Sequence, residues 1–389
     1  MKNVLYRGFM KVFLLIPLFL ILGGLNGCIN SNTESNRFDV IKVPCAITNA
    51  NGVIGCGKVP ISINDEVNKK LYPNCDIDFN NFTKNEKKCL EENYNRPADA
   101  YILGNLKYYG KYFTKNESEG FKLIKFSADN NNPEANAWLG DYFSKKGDIQ
   151  ESIKYIKIAA DLGSPLGMHN LGARYIRGSG VEKNTEKALF LLNQSKEFIP
   201  ASYSEIALLD LQKGDVDGFI ENNNIAVKKK YWFALVDLAS LYLGEMPNLE
   251  DYRDLKKADL LANKLIEHDV IVGDFVKAKV FHYQNLRTPE ICKLYKNSFE
   301  NGYMPAGINL GAEYLTGGNC DKNYRQALDI FLMLFNSTDK DIKVVSASNI
   351  GYMYLNDLGV PKNKIKAKEF LEIAVNGGYE PAKDMLKEL

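Results

Sequence analysis

The chain has 389 residues, of which 45% are hydrophobic and 25% are charged, and its formal net charge is +1. This composition agrees with one soluble body. Because phosphate binding needs a surplus of Lys and Arg, the balanced charge argues against nucleic acid as a partner. The longest basic cluster, Lys228 to Lys230, is better explained as the end of a helix than as a phosphate-binding site.

The amino terminus has the pattern of an export signal. Lys2, Arg7 and Lys11 precede an apolar run at 12–22, which is too short to span a bilayer comfortably. A glycine then stands before Cys28, and the arrangement resembles a bacterial lipoprotein signal, in which peptide 1–27 is removed and Cys28 is acylated. Removal of the peptide takes away three positive charges and leaves a net charge of −2. The alternative is an ordinary secretory signal with an accidental cysteine.

The residues after Cys28 indicate which membrane would hold the anchor. Ile29 is not the aspartate that resembles an inner-membrane retention signal. We therefore expect an outer-membrane lipoprotein that faces the periplasm, attached by its lipid alone, if the cell has two membranes. Residues 28–36 are then the lipidated cysteine and a polar tether.

Residues 37–96 differ in composition from the rest of the chain, and we predict that they form an amino-terminal module. Segments 38–43 and 59–63 have strand composition, and a turn signal lies between them at 49–52. The pattern predicts a β-hairpin followed by a first helix. The module would either cap the structure that follows or dock a partner, and capping is the simpler interpretation.

Six cysteines remain besides Cys28, and an even number in an exported chain predicts disulfide bonds. Four of them lie in the amino-terminal module: Cys45, Cys56, Cys75 and Cys89. Three connectivities exist for four cysteines, and the short loops favour Cys45 with Cys56 and Cys75 with Cys89.

From about residue 97 onward, one frame recurs with fixed internal distances. Each strong copy has a Leu-Gly or Ile-Gly pair, a Lys-Asn pair that ends twelve residues after the glycine, and a small residue at sixteen. The strong copies start at Leu103, Leu171, Leu310 and Ile350, and weaker copies are anchored at Leu139, Ile206, Leu238 and Lys277. The spacing predicts about eight helix-turn-helix units of roughly 36 residues. Since neither helix can bury its apolar face alone, the units should stack into a solenoid.

The frame resembles a known family. The stretch from Leu171 to Asn184 and the stretch from Ile350 to Ala374 are similar to Sel1-like repeats, which are relatives of the tetratricopeptide repeats. The resemblance covers residues 97–389 and departs most at 245–290. It implies an all-α fold, a right-handed α-solenoid, which works as a protein-binding scaffold or adaptor.

Cys292 and Cys320 lie inside the array. Cys292 falls near the start of a second helix, and Cys320 falls in the turn of the following unit. In a stacked array, the start of a second helix and the turn of the following unit lie at the same edge. A disulfide bond between adjacent repeats is therefore expected, and it would add about 2 to 4 kcal/mol of stability.

One row of frame positions suggests a binding surface. The residue before the leucine is Asn170, Asn309 or Asn349 in three strong copies, and Asp237 or Trp138 in two others. Four residues further on, the copies differ, with Arg174, Glu313 and Met353. We expect first helices to line the concave face, where these eight residues could bind a protein partner. The alternative is that the asparagines bond the neighbouring helix and hold the stack.

Catalytic chemistry is hard to find in the sequence. The three histidines have no metal-ligand spacing, so we expect no metal and no cofactor. Gly178-Ser179-Gly180 is similar to a nucleophile turn but lacks the preceding strand. We expect no enzyme. A small-ligand-binding enzyme like the cysteine-rich Sel1 proteins is the weakest alternative, because those proteins look to carry a cysteine pair in every repeat and this chain does not.

Two functions therefore compete at the level of sequence. The first is a membrane-anchored periplasmic adaptor that holds envelope components together. The second is an immunity protein that neutralises a secreted antibacterial toxin, such as a type VI secretion lipase, because Sel1-like lipoproteins look suited to that role. The sequence does not decide between them.

Overall fold

The structure is a computed structural model that describes residues 48–49, 52–53, 74–75, 77–78 and 81–389. The predicted signal peptide, Cys28, the tether and the Cys45–Cys56 pair lie outside the described residues, as do the predicted strands at 38–43 and 59–63. Strands β1 (Thr48–Asn49) and β2 (Gly52–Val53) form a short antiparallel ladder, with Thr48 opposite Val53. Asn49 and Gly52, the first and last residues of the predicted turn, are paired in this ladder.

Helices make up almost all of the part of the chain that the structure describes. The helices are α1 Lys84–Asn93, α2 Pro97–Tyr109, α3 Glu117–Asp129, α4 Pro133–Lys145, α5 Ile149–Asp161, α6 Pro165–Arg177, α7 Thr185–Ser195, α8 Ala201–Gln212, α9 Val216–Lys228, α10 Ala234–Leu243, α11 Leu255–Glu267, α12 Gly273–Tyr283, α13 Pro289–Glu300, α14 Met304–Thr316, α15 Tyr324–Phe335, α16 Lys340–Asn356, α17 Lys364–Asn376 and α18 Ala382–Leu386. A 3₁₀ turn at Glu250–Tyr252 precedes α11.

From α2 to α17 these helices form eight antiparallel pairs, and consecutive pairs pack on one another within each of two compact units. One unit ends at Tyr231 and the other begins at Trp232. The first helix of every pair carries the glycine or alanine of the frame, at positions 104, 140, 172, 207, 239, 278, 311 and 351. The predicted solenoid of about eight repeats is confirmed. The order of helices also holds through 245–290, where the frame is weakest.

The glycines of the frame let the two helices of a repeat approach closely. A Cβ atom on Gly104 would lie 2.9 Å from the carbonyl oxygen of Gly120, the small residue of the same frame. A Cβ atom on Gly351 would lie 2.7 Å from Cγ of Leu371. Both distances are too short for a side chain, so these two repeats need glycine where their helices cross.

The asparagine of the frame starts the second helix. Asn116, Asn184, Asn323 and Asn363 are the N-caps of α3, α7, α15 and α17, and each side chain accepts a hydrogen bond from the backbone N–H three residues later. The backbone N–H of Asn184 also donates to the carbonyl of Tyr175 at 3.0 Å. Each asparagine therefore caps one helix and ties it to the other, which explains its constant distance from the glycine.

The described part of the amino-terminal module covers the open end of the first repeat. The predicted Cys75–Cys89 disulfide bond is formed, and Cys75 and Leu90 pack with Leu103 and Leu106 in one buried cluster. The buried carboxylate of Asp99 on α2 accepts hydrogen bonds from the backbone N–H groups of residues 74 and 75. These contacts agree with the capping interpretation.

In the carboxy-terminal unit, the predicted Cys292–Cys320 disulfide bond joins α13 to the turn between α14 and α15, with Cα atoms 5.3 Å apart. The irregular stretch at 245–290 contains a buried ion pair between Lys279 and Glu245, and Tyr283 donates a hydrogen bond to the same carboxylate at 2.9 Å. None of the helices among the described residues has the length and apolar character that a membrane span requires.

Candidate protein-binding surface

The structure buries five of the eight residues predicted to bind a partner. Asp237, Asn309, Glu313, Asn349 and Met353 are all less than 9% exposed. The carboxylate of Glu313 accepts hydrogen bonds from the backbone N–H and the side-chain amide of residue 319, in the turn that carries Cys320. Side chains buried in this way present no surface to a partner, so these five residues belong to the packed interior of the array.

Arg174 also has a structural role. Its guanidinium donates to Ser152 at 2.8 Å and to Ser144 at 3.0 Å, and both serines belong to the preceding repeat. Burial lowers the pKa of Arg174. Arg174 therefore joins two repeats, whereas Asn170 on the same helix remains partly exposed.

Trp138 is a predicted residue that stays partly exposed and lies among other aromatic rings. Its ring stacks on Tyr142 with centroids 5.4 Å apart and meets the edge of Tyr108 at 4.9 Å. Tyr108 contacts Tyr109, which is 38% exposed, and Tyr142 contacts Phe121 at 5.0 Å. Helices α2, α3 and α4 thus place a group of rings at the surface. Tyr108 and Tyr109 on α2, and Trp138 and Tyr142 on α4, are each at least partly exposed.

Two carboxylates stand on the same helix face as Trp138. Glu134 and Asp141 are four residues before and three residues after Trp138 on α4, so the three side chains share one face. Tyr101 of α2 faces this group: burial raises the pKa of its hydroxyl, and the nearby Glu134 and Tyr109 raise it further. We call this set the acidic–aromatic surface, and its members are Tyr101, Tyr108, Tyr109, Glu134, Trp138, Asp141 and Tyr142.

The two carboxylates have different surroundings. Asp141 is exposed and accepts a hydrogen bond from Lys145 at 2.6 Å. Glu134 accepts one hydrogen bond from the hydroxyl of Ser164 at 2.7 Å, and no cation of the described chain lies within ion-pair distance of it. Burial without a cation raises the pKa of Glu134 to about 7, and the Ser164 bond only partly opposes this shift.

Sequence reasoning missed several members of this surface. Glu134 and Tyr142 could have been found, because their spacing from Trp138 marks one face of a predicted helix. Glu205 was also missed, although it precedes Ile206 and therefore occupies the same frame position as Trp138. It is buried and pairs with Arg177 at 2.7 Å, which makes it another structural member of the row.

A contact that resembles part of a catalytic triad is closed to substrates. The Nδ1 atom of His169 lies 2.9 Å from the hydroxyl of Ser202, which lies 2.7 Å from Ser195. Both serines are fully buried, and a nucleophile needs access to its substrate. No group of three or more potential metal ligands occurs among the residues that the structure describes.

Comparison with known proteins agrees with this architecture. The Sel1 repeat family matches residues 97–132, 133–164, 165–197, 306–334 and 344–379. Each matched range corresponds to one helix pair, from α2–α3 to α6–α7 and from α14–α15 to α16–α17.

Two solved structures are similar to this chain. A protective antigen of uropathogenic Escherichia coli strains, described as displaying an SLR fold, is 16% identical, with 78% of this chain and 67% of that chain covered and a TM-score of 0.54. A Sel1 repeat protein from Oxalobacter formigenes is 20% identical, with coverage of 78% and 89% and a TM-score of 0.46. At this identity the first likeness concerns the fold alone. The chain thus contains five Sel1 repeats, and each of them is one helix pair of the array.

Proposed function

We propose that this protein is a binding scaffold, an adaptor that holds protein partners at the periplasmic face of the outer membrane through a lipid on Cys28. Sel1 repeats suggest protein–protein interaction rather than catalysis. The single observation that carries the proposal is the acidic–aromatic surface, because it combines accessible rings with polar tips on a scaffold of packed helices.

The composition of this surface suits protein binding. Tyrosine and tryptophan are enriched among the residues that dominate interface energies, since each buries a large area and keeps a hydrogen-bonding group. The rings of Tyr108, Trp138 and Tyr142 hold one another through ring contacts, so they lose little conformational freedom on binding. A surface that is ordered before the partner arrives binds at a lower entropic cost.

The anchor is supported by the sequence: a short apolar run after three basic residues, followed by a small residue and Cys28. It can be tested by growing cells with a radiolabelled fatty acid. The chain should incorporate the label and fractionate with outer membranes, and the variant Cys28→Ala should do neither. Unlabelled wild-type chain in the soluble periplasm would refute the anchor without touching the binding surface.

The binding function can be tested by capture. Affinity-tagged full chain, extracted in mild detergent, is incubated with envelope and secreted fractions of the native cell, and captured proteins are identified by mass spectrometry. Tyr109→Ala removes an exposed ring of the surface, and Phe190→Ala is the matched control, because Phe190 is 65% exposed on α7, away from the surface. We expect resident envelope proteins to be captured by the control and the wild type, and at least tenfold less by Tyr109→Ala.

Other outcomes of the same experiment would contradict the proposal. Equal capture by both variants would show that the acidic–aromatic surface is not the binding site. Capture of one stoichiometric secreted toxin, whose activity the chain quenches, would replace the adaptor with an immunity protein. Capture of nothing by the wild type would refute protein binding in these fractions.

A further inference from the structure

We infer that the edge of the array where α15 and α17 begin binds an acidic segment of the partner protein. Six exposed cations mark this basic edge: Lys322, Arg325, Lys362, Lys364, Lys366 and Lys368. The exposed side chain of Ile365 lies among them. The inference rests on the proposed function, protein binding, and adds to it a second surface and the chemistry of the segment that this surface receives.

The basic edge concentrates positive charge in a chain whose charges are otherwise balanced. Segments 321–326 and 357–368 hold these six cations and two acids, Asp321 and Asp357. The whole chain, in contrast, has 49 Lys and Arg against 48 Asp and Glu. Because like charges repel one another, a partner of opposite charge is favoured at this edge.

Packing between the seventh and eighth repeats brings the cations of both segments together. A Cβ atom on Gly359, in the loop before α17, would lie 2.5 Å from Cβ of Tyr324, the first residue of α15. Nζ of Lys322 lies 5.7 Å from the ring centre of Tyr324. Nζ of Lys366 lies 5.2 Å from the ring centre of Tyr354, which packs in the same cluster as Tyr324. The two groups of cations therefore lie close together at one edge of the carboxy-terminal unit.

Few of these cations form ion pairs within the chain. Four of them have no ion pair among the described residues: Lys322, Arg325, Lys362 and Lys366. Lys368 lies 3.7 Å from Glu372, and an exposed pair of this kind contributes little to stability. Nζ of Lys364 donates a hydrogen bond to the backbone carbonyl of residue 389 at 2.9 Å. By contrast, seven lysines elsewhere in residues 232–389 form ion pairs, so the unpaired cations of this unit gather at the basic edge.

The stability of the two helices does not explain these charges. In five other second helices, α3, α5, α7, α9 and α13, the first turn carries Glu or Asp, which the partial positive charge of a helix start favours. The first turn of α15 has Arg325 instead, that of α17 has Lys364 and Lys366, and neither has an acid. Cations in the first turn oppose the helix dipole, so a role outside the fold accounts for them better.

Ile365 adds an apolar contact within the basic edge. It is 74% exposed, more than any other large hydrophobic residue in the part of the chain that the structure describes. Lys364 precedes it on α17, and Lys368 follows three residues later on the neighbouring part of the helix surface. A ligand that covers this edge therefore needs carboxylates for the cations and an apolar group for Ile365.

A segment of a protein meets both needs. Neighbouring second helices in a stacked array lie about 10 Å apart. Acidic residues at alternate positions of an extended segment lie about 7 Å apart on one face, so a short run of them reaches both α15 and α17. The proposed function also requires a protein as the partner. A phospholipid surface is the other ligand that combines negative and apolar groups, and the experiment below distinguishes the two.

The inference can be tested with a phage-displayed library of random peptides, selected on immobilised full chain. One selected peptide is then titrated by fluorescence polarisation at low and high salt. The test variant combines Arg325→Glu with Lys362→Glu. The matched control combines Lys264→Glu with Lys340→Glu, because it makes the same change in charge at exposed positions of the same unit, on α11 and at the start of α16. Circular dichroism establishes that both variants are folded.

We expect aspartate and glutamate to be enriched in the selected peptides. Binding to the wild type should weaken about tenfold when salt is raised from about 50 mM to about 300 mM, because exposed charges are then screened. The test variant should bind about 30-fold more weakly at low salt, whereas the control should stay within about twofold of the wild type. Ile365→Ser should bind about threefold more weakly and keep the salt dependence, since it removes apolar contact and no charge.

The remaining outcomes separate this inference from the proposed function. Peptides that show no preference for acids and bind the test variant normally, but are lost with Tyr109→Ala, would overturn the acidic segment and leave the acidic–aromatic surface in place. A wild type that selects no peptide would overturn the inference, and the capture experiment above would still decide the proposed function.

A lipid ligand has its own signature. The wild type and the test variant, each also carrying Cys28→Ala to remove the proposed lipid, are mixed with vesicles of phosphatidylglycerol and phosphatidylcholine and separated by flotation. Flotation of the wild type alone, together with peptides that lack acids, would assign the basic edge to phospholipid headgroups and overturn the protein segment. We expect neither chain to float.

Discussion

Replacement of Glu134 by glutamine should stabilise the amino-terminal unit at high pH and leave it nearly unchanged at low pH. The folded-state pKa of about 7 lies above the ordinary value of 4.5, so the folded state holds a proton that the unfolded state releases. An acid whose pKa is raised on folding stabilises the folded state at low pH. This contribution is lost as the pH rises from 4.5 through 7. The neutral glutamine keeps the hydrogen-bonding shape without this loss.

The size of the stabilisation follows from the change in the pKa of Glu134. The change in the pKa of Glu134 from 4.5 to about 7 corresponds to at most about 3 kcal/mol. Most of that loss falls between pH 5 and pH 8, and we expect about 1 to 2 kcal/mol because Glu134 is only partly buried and water screens the remainder. Glu134→Gln should therefore exceed the wild type in the free energy of unfolding at pH 8 by this amount, and match it within about 0.5 kcal/mol at pH 5.

The measurement is urea unfolding of the full chain, followed by tryptophan fluorescence. The chain has two tryptophans, and a Trp232→Phe background leaves Trp138 as the reporter in the unit that contains Glu134. Burial lowers the pKa of His169 in the same unit, so that residue adds stability above its ordinary pKa of 6.5, which is lost as pH falls below that value. Taking the difference between variant and wild type removes the histidine contribution. A difference that is equal at both pH values, or a variant less stable at pH 8, would refute the electrostatic reasoning.

Three further predictions concern the stability of the array. Asn184→Ala should cost about 1 kcal/mol in urea unfolding, because α7 loses its N-cap, and Asn184→Asp should recover most of it. Lys279→Met should cost about 3 to 5 kcal/mol at pH 7 by leaving the buried carboxylate of Glu245 without its cation, and adding Glu245→Gln should recover part of that loss. Cys320→Ser should lower stability by about 3.5 kcal/mol, since the Cys292–Cys320 bond closes a loop of 28 residues, and the same loss should follow mild reduction of the wild type.

The fold was predictable from the sequence because the residues that mark each repeat determine where its helices cross and where its second helix begins. A small residue at a helix crossing and a capping side chain at the start of the second helix are favoured wherever the backbone takes that path, so their spacing repeats with the structure. The Cys292–Cys320 pairing was predictable for the same reason, since both positions follow from the frame. Lys279 and Glu245 were not predictable, because their pairing depends on the path of the loop after α10.

The proposed binding surface was only partly predictable, since equivalent frame positions have different exposure. Trp138 and Asn309 occupy the same place in their repeats, yet the former is partly exposed and the latter is buried. Whether such a side chain reaches the surface depends on the size of its neighbours in the adjacent repeats, and the frame does not specify those. The sequence therefore located a row of candidates without showing which of them a partner could touch.

The same comparison favours the amino-terminal unit as the location of the proposed binding surface. In the carboxy-terminal unit, Asp237, Asn309 and Asn349 are all buried, so the candidate row contributes to packing there. In the amino-terminal unit, Trp138 remains partly exposed. It stands beside Glu134, whose charged form is disfavoured by burial. A purely structural repeat has no reason to keep that cost, because glutamine would donate and accept hydrogen bonds in the same place without a charge. We therefore expect Glu134 to serve the proposed binding function rather than the packing of the second repeat.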